Sequence, residues 1–298
     1  MIVDKPQGWT SHDVVARMRR LAGTRKVGHA GTLDPMATGV LVVGINKATK
    51  LLTYIVGVSK TYTATIRLGQ STITDDAEGD VTSETSAAGV EEAAVRAAVE
   101  QLTGDIEQVP SSVSAIKVNG KRSYAKVRSG EEVKLAARPV TVSEFSVDGF
   151  RRVKAGADPG EFLDVAVTVQ CSSGTYIRAL ARGLGDILQV GGHLTALRRT
   201  QVGPYTLDQA RTLEHLAEDL TVLDISAAAR ALLPVRELSA EEQVELSFGR
   251  RIAAGAGAGA ETVAAFAPDG SLAALLENKD DAAKPVLVFA PATGGHQE

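Results

Sequence analysis

Apolar and polar positions alternate along the chain in patterns that predict short strands and helices. Thr10 and Asp13 have the spacing of a capping box before an amphipathic run that stops at Gly23, which predicts a helix over about 11–22. Seven mostly apolar residues at 39–45 predict a buried strand, and alternation at 61–68 predicts a strand with one solvated face. The same criteria predict helices at 48–56, 91–103, 123–128 and 175–188, and strands at 112–118, 139–149 and 163–169.

The order of these elements favours an α+β fold, because strands rarely alternate with long helices as they do in doubly wound proteins. We expect a mixed, mainly antiparallel central sheet flanked by helices. After residue 217 the composition changes to acidic helices, a Gly/Ala-rich stretch and predicted strands at 261–267, 272–277 and 284–290. We therefore predict two domains, 1–230 and 231–298, of which the second is a small β-rich module.

Composition excludes several classes of protein. The 298 residues are 44% hydrophobic and 23% charged, which is ordinary for a globular chain. No apolar run approaches the ~20 residues of a membrane helix, and no secretion signal is present, so we expect a cytoplasmic protein without membrane contact. Cys171 is the single cysteine, which excludes an internal disulfide and argues against a structural metal. Glycine-rich phosphate loops are absent, which argues against a nucleotide cofactor.

The net charge is −4, but basic and acidic residues are unevenly distributed along the chain. Residues 1–60 carry nine basic and three acidic side chains, 111–138 carry seven and two, and 171–211 carry five and two. Acidic segments separate these three basic blocks. If the fold brings the blocks together, they form a positive surface that can hold a polyanion; otherwise the charges are simply solvated.

Residues 28–39 form the segment with the clearest chemical character. The string GHAGTLDPMATG places one carboxylate, Asp34, among glycines and before Pro35, next to the predicted buried strand. A carboxylate on such a rigid loop suits a positioned catalytic group. An Asp-Pro turn in which Asp34 only caps backbone amides remains the alternative.

A second segment, CSSGTYIRALAR at 171–182, leads from a strand through a Ser-Gly turn into a helix. Arg178 lies in the first turn of that helix, where a cation opposes the helix dipole and favours an anionic partner. Asp34 or a phosphate are candidate partners, and a solvated arginine is the alternative. A third segment, 109–124, is basic and contains an Asn-Gly hairpin turn at 119–120.

Taken together these segments resemble a known family. Five segments are similar, in order and spacing, to the TruB-type tRNA pseudouridine synthases. They are KPQGWTS at 5–11, GHAGTLDPMATG at 28–39, KTYTATIRLG at 60–69, VPSSVSAIKVNGKRSY at 109–124 and CSSGTYIRALARGLG at 171–185. The similarity covers residues 1 to about 210. It implies isomerisation of uridine 55 in the tRNA T-loop, by cleavage of the N-glycosidic bond, rotation of the base and rejoining through C5. It also implies a C-terminal PUA-like RNA-binding module.

The resemblance assigns roles to individual residues. Asp34 falls on the catalytic aspartate, Tyr62 on the active-site tyrosine, Arg178 on the arginine that pairs with the aspartate, and Asp76 on an acid thought to complete that network. We expect Asp34 to be buried beside a closed, apolar-walled pocket that keeps water from the sugar. The family uses no metal or other cofactor.

The resemblance also assigns substrate contacts. His29 falls on the histidine that enters the T-loop, and Leu197 on an apolar wall of the uracil pocket. Tyr176 is a further predicted substrate-binding residue. Candidate phosphate contacts are Lys5, Lys50, Lys117, Lys121, Arg122, Arg138, Arg198 and Arg199. We expect a monomer that binds the T-arm of tRNA without a guide RNA. A non-catalytic RNA-binding protein and a guide-dependent isomerase are the alternatives.

Overall fold

The computed structural model describes residues 1–110, 136–154, 160–255 and 261–289, and the backbone of 117–118 and 121–122. The predicted helix at 123–128 and the Asn-Gly turn at 119–120 lie outside the described residues. So does most of the predicted strand at 112–118. The same holds for the side chains of Lys117, Lys121 and Arg122, whose predicted phosphate contacts stay predictions.

Helices follow the amphipathic runs. They are α1 (Ser11–Leu21), α2 (Leu52–Val56), α3 (Glu92–Gln101), α4 (Ile177–Ile187), α5 (Leu213–Glu218), α6 (Ile225–Leu232) and α7 (Ala240–Ser247), with 3₁₀ segments at Asn46–Leu51 and Leu207–Gln209. The capping box at the start of α1 is formed, because Asp13 N donates to Thr10 Oγ1 and Thr10 N donates to the Asp13 carboxylate.

Strands are more numerous than the sequence pattern predicts. They are β1 (Ile2–Lys5), β2 (Val27–Ala30), β3 (Thr38–Ile45), β4 (Lys60–Leu68), β5 (Gln70–Thr72), β6 (Val81–Glu84), β7 (Gly104–Gln108), β8 (Lys117–Val118), β9 (Lys121–Arg122), β10 (Arg138–Lys154), β11 (Glu161–Cys171), β12 (Gly192–Val202), β13 (Tyr205–Thr206), β14 (Val235–Glu237), β15 (Ile252–Ala253), β16 (Val263–Phe266), β17 (Leu272–Lys279) and β18 (Ala282–Val288).

Nine of the described strands form the central sheet. Its order is β1-β3-β12-β4-β11-β10-β7, with β2 paired to β3 and β13 paired to β12. All of these pairs are antiparallel except β3 with β12. The expected α+β fold with a mixed, mainly antiparallel sheet is therefore confirmed. The parallel pair matters most for function, because it brings the chain that precedes β3 against the middle of β12.

Strand β12 lies next to the middle of the sheet, although the sequence pattern predicts no strand there. Two irregularities interrupt its pairing with β4, one between Leu194 and Ala196 and one between Arg199 and Gln201. Each irregularity shifts the side chains out of period-two alternation. A buried arginine within the strand, Arg199, further hides the apolar pattern.

Apolar side chains cover both faces of the sheet. One large cluster packs β4 and β11 against α3 and α4, through residues such as Ile66, Val165 and Leu184. A second cluster packs α1 and α5 against β1 and β3, through Met18 and Leu41. Because β3 is buried along nearly its whole length, its continuous apolar run is explained by packing on two sides.

A second sheet of five strands, in the order β14-β16-β17-β18-β15, forms the predicted β-rich C-terminal module. An apolar cluster joins this module to the 3₁₀ segment and α2 of the first domain, with Leu51 and Tyr54 packed near Phe266 and Phe289. Helix α6 contributes Ala229 to the same cluster. The boundary between residues 230 and 231 stays a prediction.

Candidate active site

The loop between β2 and β3 carries Asp34, and two glycines fix its path. Gly31 has φ +73°, and a Cβ there would lie 3.3 Å from the Arg199 guanidinium. Gly39 has φ +98°, and a Cβ there would lie 2.2 Å from the Arg199 carbonyl oxygen. Both positions therefore require glycine, and the loop lies directly against β12.

Two buried cations hold the backbone of this loop. Lys5, which is fully buried, donates from Nζ to the carbonyl oxygens of Trp9 at 2.6 Å and Pro35 at 3.2 Å. Arg199, which is 1% exposed, donates to the carbonyl oxygen of Gly31 at 2.8 Å. Burial lowers the pKa of Lys5 to about 8. The prediction that Lys5 contacts a phosphate is wrong, because its ammonium is buried and bonds backbone carbonyls. Arg199 also bonds backbone carbonyls, but it lines the cleft, so its phosphate contact stays a prediction.

Arg178 bridges two carboxylates at the centre of the site. Its Nε lies 3.1 Å from Asp34 Oδ2 and its Nη1 lies 3.5 Å from Asp76 Oδ2. The same Nη1 donates to the carbonyl oxygen of Thr74 at 3.0 Å. The structure thus brings together three residues that are far apart in the chain. A planar guanidinium held on several sides fixes the direction of the Asp34 carboxylate.

The three charged side chains differ in their exposure. Arg178 and Asp76 are 7% and 3% exposed, whereas 39% of the Asp34 side chain is exposed. The expectation that Asp34 is buried is therefore wrong. Its carboxylate lies at the mouth of a cleft, where one side faces Arg178 and the other remains open to a ligand.

The loop that carries Asp76 also holds its carboxylate in place. Thr74 Oγ1 donates to Asp76 Oδ1 at 2.5 Å, and the backbone N of Glu78 donates to the same oxygen at 3.0 Å. Burial, followed by repulsion from Asp76 and Asp34, raises the pKa of Glu78. Asp76 therefore acts as an anchored counter-charge that positions Arg178.

Two neighbouring strands supply the floor of the cleft. Tyr62 on β4 and Leu197 on β12 are each 8% exposed and line the same cavity. Burial raises the pKa of the Tyr62 phenol, and the nearby Arg199 guanidinium partly opposes this. An aromatic ring and an aliphatic side chain at the base of the cleft provide the flat apolar contact that a nucleobase requires.

The cleft has a volume of about 340 Å³. Its lining is partly polar, contrary to the expectation of an apolar-walled pocket. The lining residues come from two loops, the ends of α2 and α4, and two strands: Gly31–Asp34, Val56, Lys60, Tyr62, Ser172–Arg178, Leu197 and Arg199.

Lys60 is a cleft residue that the sequence analysis does not single out. Its Nζ donates to the carbonyl oxygens of Val56 at 3.0 Å and Val58 at 2.7 Å, and Ser173 Oγ donates to the same Val56 oxygen at 2.7 Å. These bonds tie the end of α2 to the loop before Arg178. Burial, with a smaller contribution from Arg199, lowers the pKa of Lys60 to about 8. Its spacing from Tyr62 could have identified Lys60 as a cleft residue, because side chains two residues apart on a strand lie on the same face.

Arg182 is a second residue that the sequence analysis misses. It lies one helical turn after Arg178 on α4 and donates to the Asp75 carboxylate and to the carbonyl oxygen of Val109. Asp75 has φ +61°, a conformation that few residues other than glycine adopt. Arg182 thus holds the loop that presents Asp76, and its i+4 spacing from Arg178 is the signal that could have identified it.

Tyr176 lines the cleft, whereas His29 lies two residues before the Gly31–Asp34 loop and outside the cleft lining. His29 lies on β2 with its ring 5.6 Å from His12 in an edge-to-face arrangement. Its Nδ1 is buried without a hydrogen-bond partner among the described residues, and burial lowers the pKa of the imidazole. Tyr176 is half-buried in the cleft wall, where its backbone N donates to Gln108 Oε1 at 3.0 Å. Burial raises the pKa of its phenol.

The remaining predicted contacts lie apart from the cleft lining. Lys50 is exposed on the 3₁₀ segment before α2, and Arg138 is exposed at the start of β10. Arg198 is paired with Asp4 on β1 through two hydrogen bonds of 3.0 and 2.7 Å. Lys50 and Arg138 are free to meet a phosphate, whereas Arg198 would first have to leave its carboxylate.

Within the part of the chain that the structure describes, no three His, Cys, Asp or Glu side chains are grouped as metal ligands. Nor does any described helix combine the length and apolar character needed to cross a membrane. The prediction that the site uses no cofactor stays a prediction.

Comparison with known families and proteins identifies the family of the chain. Residues 19–177 match the family model described as the TruB family pseudouridylate synthase N-terminal domain. Residues 178–238 match a tRNA pseudouridylate synthase B C-terminal domain, and 233–290 match the C-terminal domain of tRNA pseudouridine synthase II.

The chain belongs to the TruB family.

Relatives within the TruB family match over nearly the whole chain. A protein named tRNA pseudouridine synthase B from Arthrobacter sp. (strain FB24) is 74% identical over 98% of this chain and 96% of its own length. One of the same name from Thermobifida fusca (strain YX) is 60% identical over 97% of this chain and 98% of its own length. Both domains of the chain are therefore shared with TruB relatives.

A solved structure also matches the TruB fold. It is described as an H/ACA RNP bound to a substrate RNA containing 2'-deoxyuridine, and it is 25% identical with a TM-score of 0.70. The match covers 98% of this chain and 84% of that chain, so it includes the C-terminal sheet.

Proposed function

We propose that this protein isomerises uridine 55 in the T-loop of tRNA to pseudouridine, with Asp34 as the catalytic carboxylate. Membership of the TruB family and relatives named tRNA pseudouridine synthase B support pseudouridine formation in tRNA. The observation that carries the role of Asp34 is its geometry. It is the partly open carboxylate of the cleft, and Arg178 orients it towards the cavity above Tyr62.

The reaction explains why a carboxylate is needed at this place. Cleavage of the bond between N1 of uracil and C1′ of ribose develops positive charge on the sugar, and a carboxylate stabilises that charge or bonds to C1′. Alternatively, the carboxylate removes a proton from C2′ and gives a glycal intermediate. Both routes require an oxygen of Asp34 to face the ribose, and the partial exposure of its side chain at the cleft supports this.

Tyr62 and Leu197 are placed to hold the detached uracil. The ring of Tyr62 can stack on the base while it turns, and Leu197 closes the opposite edge. After C5 has bonded to C1′, the proton on C5 must leave. The Tyr62 hydroxyl is the candidate acceptor or relay for that proton, and the neighbouring Arg199 guanidinium favours its ionised form against burial.

Water has to be excluded from the sugar, because hydrolysis would release free uracil. Because 39% of the Asp34 side chain is exposed, the protein alone does not exclude solvent from the cleft. We therefore expect the everted nucleoside itself to complete the pocket, with the Ser172–Ile177 wall on one side and the Gly31–Asp34 loop on the other. Eversion of a stacked nucleotide costs a few kcal/mol, and we propose that His29, on the strand before the Asp34 loop, occupies the vacated space.

Phosphate contacts to Lys50 and Arg138, and to Lys117, Lys121 and Arg122 outside the described side chains, complete the proposed RNA surface. Because such contacts release counterions from the RNA, binding is expected to weaken as salt rises. A monomeric, cytoplasmic enzyme that works without a guide RNA is part of the same proposal.

A guide-dependent isomerase is the second candidate, since the fold also matches a structure described as an H/ACA RNP. One assay separates the two. An isolated T-arm stem-loop is incubated with the protein alone, and uridine 55 is examined by carbodiimide modification and reverse transcription. We expect conversion without any guide RNA. An unmodified uridine at this position, with the RNA shown to bind, would contradict the proposed activity.

A further inference from the structure

A second groove lies beside the Asp34 loop and contains Trp9, which is the one tryptophan of the sequence. The groove has a volume of about 300 Å³, at the small end of the range for ligand pockets. Its lining comes from the turn before α1 and one face of that helix: Gly8, Trp9, Asp13, Ala16 and Arg20. Trp9 is 36% exposed, which leaves a large aromatic surface in contact with water.

The position of Trp9 is fixed relative to the catalytic loop. Gly8 N donates to the carbonyl oxygen of Pro35 at 2.8 Å. The buried Lys5 ammonium bonds the carbonyl oxygens of both Trp9 and Pro35. The residue that follows Asp34 and the residue that carries the indole therefore share one ammonium. An RNA whose uridine enters the cleft would have neighbouring nucleotides close to this groove.

Charge around the groove suits a polyanion. Arg20, whose side chain is exposed, lines it. The carboxylate in the lining, Asp13, is engaged in the capping box, where it accepts hydrogen bonds from the backbone N and the hydroxyl of Thr10. Its charge is thus offset by a helix N-terminus and opposes an approaching phosphate only weakly.

Space beside the indole is also available. Ala16 presents only a methyl group to the groove, and a Cβ built on Gly8 meets nothing within 4 Å. These small residues leave the part of the groove beside Trp9 open to a planar ring. Duplex bases hide their faces in the helix, whereas loop nucleotides expose them, so this surface fits single-stranded rather than paired RNA.

We propose that the groove binds an unstacked nucleobase of the substrate RNA loop against the Trp9 ring, with Arg20 directed to the adjoining phosphate. This inference rests on the proposed function, because it takes the T-arm as the RNA. Stacking on an aromatic side chain tolerates any base, so the groove adds affinity and holds the loop open beside the everted uridine.

Intrinsic fluorescence tests the proposal in the wild-type protein, since selective excitation of indole reports on Trp9 alone. The titrant is the T-arm stem-loop, and the control RNA has the same stem closed by a stable tetraloop. Labelled-RNA anisotropy measures binding independently. We expect the T-arm loop to quench Trp9 emission at saturation and the control RNA to leave it nearly unchanged.

Two variants and a matched control extend the test. Trp9→Ala should raise the Kd of the T-arm by about 5- to 100-fold, which is the range for loss of one stacked base. Trp9→Phe keeps a smaller ring and should raise it less. Val222→Ala truncates another exposed apolar side chain, 52% exposed, and should leave the Kd unchanged. Thermal melts identify any variant that is not folded.

The outcomes separate this inference from the proposed function. Tight T-arm binding with unchanged Trp9 emission, or equal quenching by the tetraloop RNA, would overturn the stacking site alone. Failure of the wild-type protein to bind or modify the T-arm would overturn both.

Discussion

Two clusters of arginine and aspartate, one on the central sheet and one between two loops and helix α4, are built in opposite ways. In one, Asp164 on β11 accepts hydrogen bonds from two arginines. Arg67 Nε lies 2.8 Å from Oδ1, and Arg151 Nη2 lies 2.8 Å from Oδ2. In the other, one arginine, Arg178, serves two carboxylates, Asp34 and Asp76.

The difference shows that an arginine–aspartate pair can either stabilise the fold or present a carboxylate for a reaction. Asp164 has a side chain that is 3% exposed, and both of its oxygens are occupied by guanidinium donors. Asp34 shares its arginine and keeps 39% of its side chain exposed at the cleft. A carboxylate surrounded by donors stabilises the fold, whereas a carboxylate held on one side remains available to a substrate.

Among the substitutions that test this comparison, the replacement of Asp34 should have the largest effect on turnover. Asp34→Asn keeps the shape but removes the charge that faces the sugar. We expect turnover to fall by at least ~10²- to 10⁴-fold, the range for a group that moves a proton, and further if the carboxylate bonds to C1′. Steady-state assays on the T-arm measure the loss, and RNA affinity should be retained. Substantial turnover by this variant would remove Asp34 from the mechanism.

Arg178→Lys should have the next largest effect. A lysine cannot reach Asp34 and Asp76 together with planar geometry, so the Asp34 carboxylate loses its fixed direction. The loss of a charged hydrogen bond is worth about 1.5–3 kcal/mol, which corresponds to roughly 10- to 150-fold in rate. Pre-steady-state rates with saturating enzyme check this value. A rate close to that of the wild type would show that Arg178 does not position Asp34.

Asp164→Asn should change stability and leave the reaction intact. Asp164 is buried, but the Arg67 and Arg151 side chains are 24% and 73% exposed, so water compensates part of the lost charge. We therefore expect about 1–2 kcal/mol less free energy of unfolding. Urea denaturation measures the change. Turnover per folded molecule should remain within about twofold of the wild type. If turnover fell as it does for Asp34→Asn, the distinction between the two clusters would be lost.

The smallest expected effect is on the free energy of unfolding at acidic pH. Burial acts to raise the pKa of Asp164, but hydrogen bonds from Arg67 and Arg151 outweigh it, so the pKa lies below the ordinary value of 3.8. The stabilisation from Asp164 is therefore complete above that value and is lost as the pH falls below it. Unfolding free energies measured from about pH 6 to 3 should fall more steeply below pH 4 for the wild type than for Asp164→Asn. Parallel curves would contradict the assigned pKa shift.

Elements with a regular local pattern are predictable from the sequence. Helix α1 follows its capping box, and strand β4 follows strict alternation. Strand β12 is missed because its two irregularities interrupt that alternation and because a buried arginine resembles a surface residue. The short strands β1 and β2 are also missed, since four residues carry too little pattern.

The candidate site depends on contacts that no local pattern contains. Asp34, Asp76 and Arg178 come from separate parts of the chain. The helix position of Arg178 makes Asp34 one of two candidate partners, and only the resemblance to TruB-type enzymes selects it and adds Asp76. The burial of Lys5 and Arg199 is missed for a related reason. A buried cation needs carbonyl acceptors from remote loops, and basic residues in a charged segment are otherwise expected at the surface.

The central claim is that Asp34, held by Arg178, acts on the ribose of an everted uridine. Its most direct test is the single-turnover rate of pseudouridine formation on the T-arm, with excess folded enzyme, for the same Asp→Asn change at positions 34 and 164. We predict that the change at position 34 abolishes product over the time in which the change at position 164 gives a full turnover. Equal rates for the two variants would contradict the claim.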